Sequence, residues 1–188
     1  MPGRVFVITG PSGVGKGTLI RTLLERIPEL ELAVSATTRR PRPGEQDGVD
    51  YHFLDDAEFD RRVAHGEFVE HAAYSGRRYG TLRSELERRT SAGAPVVLEI
   101  EVQGARQIRN TMPEAVRIFI APPSEEALRN RLIGRGTDDP EQVEARLRTA
   151  NEELAAQGEF SHVVINDRLD DAVEALEEVV RASLGSKA

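Results

Sequence analysis

"RVFVITGPSGVGKGTLIRTLLERI", residues 4–27, passes from a β-branched apolar run through a glycine-rich turn into a helical pattern. The run reads as a buried strand, and Leu19, Leu23 and Ile27 recur on one helical face. Between them Gly10, Gly15 and Lys16 stand at the spacing of a phosphate-binding loop, in the strand-to-helix setting such a loop requires. The chemistry follows from the residue types. Glycines let successive backbone N–H groups curl around a phosphate chain, and the helix N-terminus and a lysine ammonium supply positive potential. Gly10, Pro11, Ser12, Gly13, Val14, Gly15, Lys16, Gly17 and Thr18 are thus candidates for holding a nucleoside triphosphate. Gly17 stands where serine or threonine normally follows the lysine, so Thr18 is the candidate hydroxyl for Mg²⁺, directly or through water. Lysine occurs only at Lys16 and Lys187 among 25 basic residues, which marks Lys16 as chosen rather than incidental.

Outward from this stretch, apolar strands alternate with helices, which predicts an α/β fold: a parallel sheet covered on both faces, in three layers. "ELAVSAT" (31–37) reads as one strand, "YHFL" and "EFVEHAAY" as short ones, and "PVVLEIEV", "VRIFIA" and "SHVVIND" as core strands. "YGTLRSELERRTSAG" predicts a helix from about Thr81 to Gly93. Ser124 reads as one helix N-cap, and Asp139 with Pro140 as the start of another. The expected organisation is a single domain of 188 residues: a core (1–34, 83–129 and 149–188), an inserted β-rich lobe at 35–82 and a short helical lid at 130–148.

Composition narrows the function. A net charge of −7 speaks against general affinity for nucleic acid or anionic membrane, so any anion site is local. The absence of cysteine excludes disulfides and thiolate metal sites and fits a cytoplasmic location. No segment reads as a signal peptide or a membrane span. The base-reading Asn-Lys-x-Asp motif of GTP switches is missing, as is their Asp-x-x-Gly element.

The loop at 38–50, "TRRPRPGEQDGVD", then raises a question of ligand. Prolines restrict Arg39 and Arg42, and guanidinium forks match phosphate oxygens bidentately, so an acceptor phosphate is their natural partner; Arg40 reads as a solvated cation. Glu99 and Glu101, two apart on a predicted strand beside the phosphate loop, are placed to act on Mg²⁺. From alternation alone Glu70 reads as a strand-surface carboxylate.

"GPSGVGKGT", "SATTRRPRPGEQDGVDYHF", "GEFVEHAAYSGRRYGT", "VVLEIEVQGA" and "RLIGRGTDDPEQVEARL", in that order and spanning nearly the whole chain, resemble the guanylate kinases. The resemblance implies transfer of the γ-phosphoryl group of ATP to GMP, and by extension to dGMP, with Mg²⁺ as cofactor. It implies that Arg39, Arg42, Tyr51 and Tyr79 bind the GMP phosphate and that Glu70, Ser35, Thr81 and Glu99 read guanine, with Thr18 and Glu101 toward the metal. The family usually has aspartate where Glu99 and Glu101 stand, which leaves open which of the two reaches metal and which the guanine amino group. It also implies a lid carrying Arg131, Arg135 and Arg146 to the ATP phosphates, Asn166 near adenine, and Lys16, Arg42, Arg135 and Arg146 as the catalytic cations. Two alternatives remain at this point: a guanylate-kinase-like binding module without catalysis, and a phosphate-loop kinase for another phosphorylated acceptor.

Overall fold

The computed structural model describes residues 2–133 and 139–185. A five-stranded parallel sheet has the order β2-β7-β1-β8-β9, formed by Glu31–Leu32 (β2), Val96–Glu99 (β7), Val5–Thr9 (β1), Val116–Ala121 (β8) and His162–Ile165 (β9). A second sheet, of order β4-β3-β6-β5, is formed by His52–Phe53 (β4), Ala36–Thr37 (β3), Arg77–Leu82 (β6) and Phe68–Tyr74 (β5). By contacts the chain divides into two compact units: Phe6–Pro28 with the chain from Val116 onward, and the residues up to Val5 with Glu29–Ala115.

In the first unit the apolar run of β1 sits with Phe6, Val7 and Ile8 fully buried, paired in parallel with β8 from Phe6↔Val116 to Thr9↔Phe119. β8 continues this parallel pairing with β9. Helix α1 (Lys16–Arg26) buries Leu19 and Leu23, with Ile27 just beyond its end, on the face the spacing predicts. It packs on α7 (Leu169–Gly185), where Arg26 and Glu177 pair at 3.3 Å. Helix α5 (Glu125–Ile133) starts at Ser124, whose Oγ accepts the Ala127 N–H at 3.0 Å. Leu128 and Leu132 of α5 meet Ala150, Leu147 and Leu154 of α6 (Pro140–Ala155), which has Asp139 at its N-cap and Pro140 in its first turn.

In the second unit β2 pairs in parallel with β7. The second sheet carries α2 (Asp56–Ala64) on an apolar cluster of Ala36, Phe59, Phe68 and Leu82, with the Phe59 and Phe68 rings stacked at 4.5 Å. The hairpin β5–β6 closes through Ser75 (φ 50°) and Gly76 (φ 71°), the two left-handed residues that a tight primed turn demands. Helix α3 (Arg83–Ser91) follows β6, and α4 (Val102–Thr111) follows β7.

Three expectations are corrected. "ELAVSAT" is two strands, not one: β2 belongs to the five-stranded sheet and β3 to the four-stranded sheet, because the Val34 N–H leaves the ladder and donates to the Glu85 carboxylate at 3.1 Å. The helix expected from Thr81 begins at Arg83, since 77–82 pairs with β5; Thr81 is a strand residue opposite Glu70. Glu101 does not share a strand with Glu99: β7 ends at Glu99 and Glu101 is the N-cap residue of α4, with Ile100 between them buried. Arg135, expected on the lid with Arg131, lies outside the described residues; α5 is described to Ile133.

Glu85 is the buried polar anchor of the strand crossover. It accepts from Val34, from Arg89 at 2.7 Å and from Arg88 at 3.0 Å. Burial pushes its carboxyl up, but these three donors outweigh burial and hold it down at about 2. Because the folded value is depressed, the stability it contributes is present above the usual carboxylate range and is lost as pH falls toward about 2. Glu85→Ala, which leaves the Val34 N–H without an acceptor, is expected to cost about 2–3 kcal/mol at neutral pH. Urea midpoints of the two proteins measure this, and the gap should narrow in acid.

Candidate functional site

The phosphate loop is held open by backbone chemistry written into its sequence. Gly13 (φ 83°) and Gly15 (φ 92°) adopt left-handed conformations, and a Cβ on Gly13 would meet Leu132 Cδ2 at 2.9 Å. Lys16, the first residue of α1, extends its ammonium back to the Gly10 carbonyl at 2.6 Å, so the charge lies across the loop.

The Val14 carbonyl accepts from Asn166 Nδ2 at 2.8 Å and from Arg131 Nη1 at 3.5 Å, while Arg131 Nη2 donates to the Asn166 carbonyl at 3.1 Å. In a planar trans peptide the C=O and the following N–H point in opposite directions. Tying down the Val14 oxygen therefore fixes the Gly15 N–H on the other side of the chain. The structure places Asn166 and Arg131 together beneath the loop, with Asn166 buried. A Cβ on Gly17 would meet nothing within 4 Å, so the missing serine or threonine there reflects no lack of room. Thr18 is exposed on the first turn of α1, with Arg21 3.5 Å from its Oγ1. Arg146 is half-buried on α6, and Arg135 falls outside the described residues.

The second unit gathers the acceptor-side candidates in two groups. In the first, the Arg39 fork is already engaged: Nη2 and Nη1 donate to the two carboxylate oxygens of Glu45 at 2.8 and 3.0 Å, and the Arg42 N–H donates to the same group at 2.7 Å. Hydrogen bonding to Glu45 raises the Arg39 guanidinium further above its usual range, so it is a permanent cation. It lies 5.1 Å over the Tyr51 ring, and the Tyr51 and Tyr79 rings are 6.3 Å apart. Burial, with the Glu99 carboxylate adding to it and the Arg39 guanidinium opposing it, pushes the Tyr51 phenol up, which keeps it a neutral donor. The Arg42 side chain is exposed, as is Glu99 at the end of β7.

The second group centres on Glu70. Its carboxylate is 2% exposed and accepts the Thr81 hydroxyl at 2.7 Å across the β5–β6 pair. Burial drives the carboxyl up to about 7; the Thr81 hydrogen bond opposes this, and the negative charge of Glu101 adds to it. The surface reading of this carboxylate is corrected: both faces of β5 are covered, one by the apolar cluster and the other by α4, and a β-bulge at Val69 turns Glu70 to the α4 side. Phe68 pairs with Leu82 but Glu70 pairs with Thr81, so two residues that alternation would put on one face point to opposite faces. Phe68 joins the apolar cluster on α2, and Glu70 turns the other way. Ser35 lies just before β3, where its carbonyl accepts the His52 N–H at 2.8 Å.

Sequence reasoning missed Glu45, the carboxylate that shapes the arginine loop. Its signal was present in "RPGEQ", a Pro-Gly turn followed by an acid within reach of Arg39. Among the described residues no group of three or more His, Cys, Asp or Glu side chains could enclose a metal ion. Glu99 and Glu101 are oxygen donors of the kind Mg²⁺ accepts, since that ion binds through one or two protein carboxylates and otherwise keeps water and substrate phosphate ligands.

A family model described as guanylate kinase matches residues 2–183. A guanylate kinase of Thermobifida fusca is 51% identical over 181 residues, 96% of this chain and 92% of that protein. A guanylate kinase of Frankia casuarinae is 51% identical over 186 residues, 99% and 100% of the two chains, and one of Mycobacterium bovis is 52% identical over 176, 93% and 85%. Among solved structures, a guanylate kinase from Anaplasma phagocytophilum superposes with a TM-score of 0.80 at 33% identity, covering 99% of this chain and 88% of that one.

Proposed function

The chain belongs to the guanylate kinase family, and from that membership we propose how it transfers the γ-phosphoryl group of ATP to GMP, giving ADP and GDP. The observation that carries the assignment of roles is Glu70: a buried, Thr81-bonded carboxylate in the same unit as an arginine loop. Guanine presents N1–H and a 2-amino group side by side, and an ionised carboxylate accepts from both, whereas adenine presents a lone pair at N1. Ser35, Thr81 and Glu99 complete the base contacts. Arg39 and Arg42, with Tyr51 and Tyr79 as neutral donors, take the phosphate. In this reading residues 35–82 form the acceptor lobe and 130–148 a lid on the core.

The donor triphosphate lies along the Gly10–Thr18 amides and Lys16, with Arg131 and Asn166 supporting the loop and Arg135 and Arg146 completing the cations. Thr18 and Glu101 are the residues that would hold Mg²⁺, and the ion would supply positive charge to the phosphate groups there. The acceptor oxygen of GMP is already anionic, so no general base is required. Catalysis reduces to alignment and neutralisation of charge on the transferring group, supplied by Lys16, Arg42, Arg135 and Arg146. A chain without cysteine suits the cytoplasm as the place of reaction, and no helix among the described residues is long and apolar enough to cross a membrane.

ADP release with ATP and Mg²⁺ against a panel of GMP, dGMP, AMP and ribose phosphates tests the assignment. GMP is expected to exceed AMP by about three orders of magnitude in kcat/KM, because a buried donor-reading carboxylate rejects an acceptor edge. Comparable rates with AMP or a ribose phosphate would remove Glu70 from base reading.

A further inference from the structure

We propose that helix α4 sets the specificity of the acceptor site, with Gln107 and Gly104 as the residues that position Glu70; this rests on Glu70 contacting the base. Strand β5 is the edge of its sheet, so alternate backbone groups along it have no strand to bond. At His71, the residue after Glu70, the Gln107 side chain supplies both partners: its Oε1 accepts the His71 N–H at 3.0 Å and its Nε2 donates to the His71 carbonyl at 2.7 Å. A single side-chain amide thus substitutes for a neighbouring strand at the point where the carboxylate must be aimed.

Gly104 lies three residues earlier on the same helix and so on the same face. A Cβ there would fall 2.2 Å from Glu70 Oε2 and 3.1 Å from its carboxyl carbon. No positive φ requires glycine at this position, and an alanine would favour the helix. Glycine therefore serves the carboxylate rather than the backbone: it leaves the volume that Glu70 occupies. The atom a methyl group would strike is the far end of a flexible side chain. Gly104→Ala should accordingly swing the carboxylate away while leaving the fold intact.

The bulge at Val69 gives this arrangement its purpose. An extra residue in β5 loosens the ladder beside Glu70, and the Gln107 amide fixes the main chain immediately after it. Amide and vacated space together determine where the two acceptor oxygens lie, and a shift of about 1 Å there is enough to cost one to two orders of magnitude in a positioned reaction.

The test is steady-state kinetics of Gln107→Met, Gln107→Glu, Gly104→Ala and Glu70→Gln, with GMP, AMP and ATP each varied, and melting temperatures alongside. Gln107→Met keeps the volume and loses both hydrogen bonds. It is expected to raise KM for GMP about tenfold, leave KM for ATP unchanged, and lower the GMP-to-AMP ratio of kcat/KM. Gln107→Glu keeps the acceptor for the His71 N–H but turns a carboxylate oxygen toward the His71 carbonyl, so it should do no better than Gln107→Met. Gly104→Ala should match Gln107→Met in KM for GMP without a lower melting temperature, and it carries the test should Gln107→Met fold poorly.

If Glu70→Gln loses the GMP preference while Gln107→Met and Gly104→Ala keep it, the amide is only a cover for a strand edge and the proposal falls, with the base-reading role of Glu70 left standing. If Glu70→Gln itself keeps the preference, that role fails and the proposal fails with it.

Discussion

Lys16→Met is expected to lower kcat by about two to three orders of magnitude, the loss typical of removing one preorganised positive partner from a transferring group. The ammonium lies across the phosphate loop on the Gly10 carbonyl and is half-buried. Methionine keeps the stem and deletes the charge. The loop's left-handed Gly13 and Gly15 and the tether on Val14 do not involve the ammonium, so the loop should keep its shape. Nucleotide affinity should fall less than turnover, and KM for GMP should hold, since the acceptor contacts come from other residues. Lys16→Arg is expected to be nearly as damaging: a planar fork is no substitute for a compact point charge at the end of a four-carbon stem. Turnover within tenfold of wild type in Lys16→Met, at saturating ATP and with unchanged melting temperature, would take the lysine out of the reaction.

Glu70→Gln is expected to abolish most of the preference for GMP over AMP, a change of about three orders of magnitude in the ratio of kcat/KM. Glutamine offers one acceptor and one donor where guanine needs two acceptors, and its amide suits the adenine edge. The same substitution carries a pH signature. Burial holds the Glu70 carboxyl at about 7, so below that pH the free enzyme carries a protonated group that cannot accept from both guanine donors. Wild-type kcat/KM for GMP should therefore fall more steeply with acid than that of Glu70→Gln, whose profile retains only the titration of the substrate phosphate and so serves as the internal control.

Stability should move the other way. A folded value raised above the unfolded one means that the neutral carboxyl's contribution is present below about 4.5 and lost as pH rises through about 7. Above pH 7 the ionised group destabilises the fold, and Glu70→Gln should gain up to about 3 kcal/mol there. A variant that is more stable at pH 8 and blind to its substrate would show that the carboxylate is kept for recognition at the expense of the fold. Parallel pH profiles for the two proteins, or a melting temperature that does not rise, would contradict this.

The core was legible because its signals are local and periodic: the apolar run of β1, the glycines at 13 and 15, and the Leu19, Leu23, Ile27 face each declare themselves within a few residues. The second sheet was less so, for three physical reasons. Strand β6, "RRYGTL", carries little apolar patterning, and only the Ser75–Gly76 pair before it signals a hairpin. The division of "ELAVSAT" depends on Glu85, about 50 residues further on, taking the Val34 N–H. Glu70 depends on a bulge, which breaks the rule that residues two apart share a face. The site residues followed the same division. Arg39 stood out, but its partner Glu45 and the Gln107 amide act through contacts that no spacing rule lists.

The doubled residue at Val69 also sets a counting rule for anyone reshaping this protein. Gaining or losing one amino acid between Phe68 and Glu70 would sacrifice either the aromatic stack on Phe59 or the carboxylate beside Gly104, because both cannot be kept with any other number. The exposed tip at Ser75 and Gly76, by contrast, can be lengthened or fused to a tag without disturbing either, and length variation in this hairpin should be confined to it.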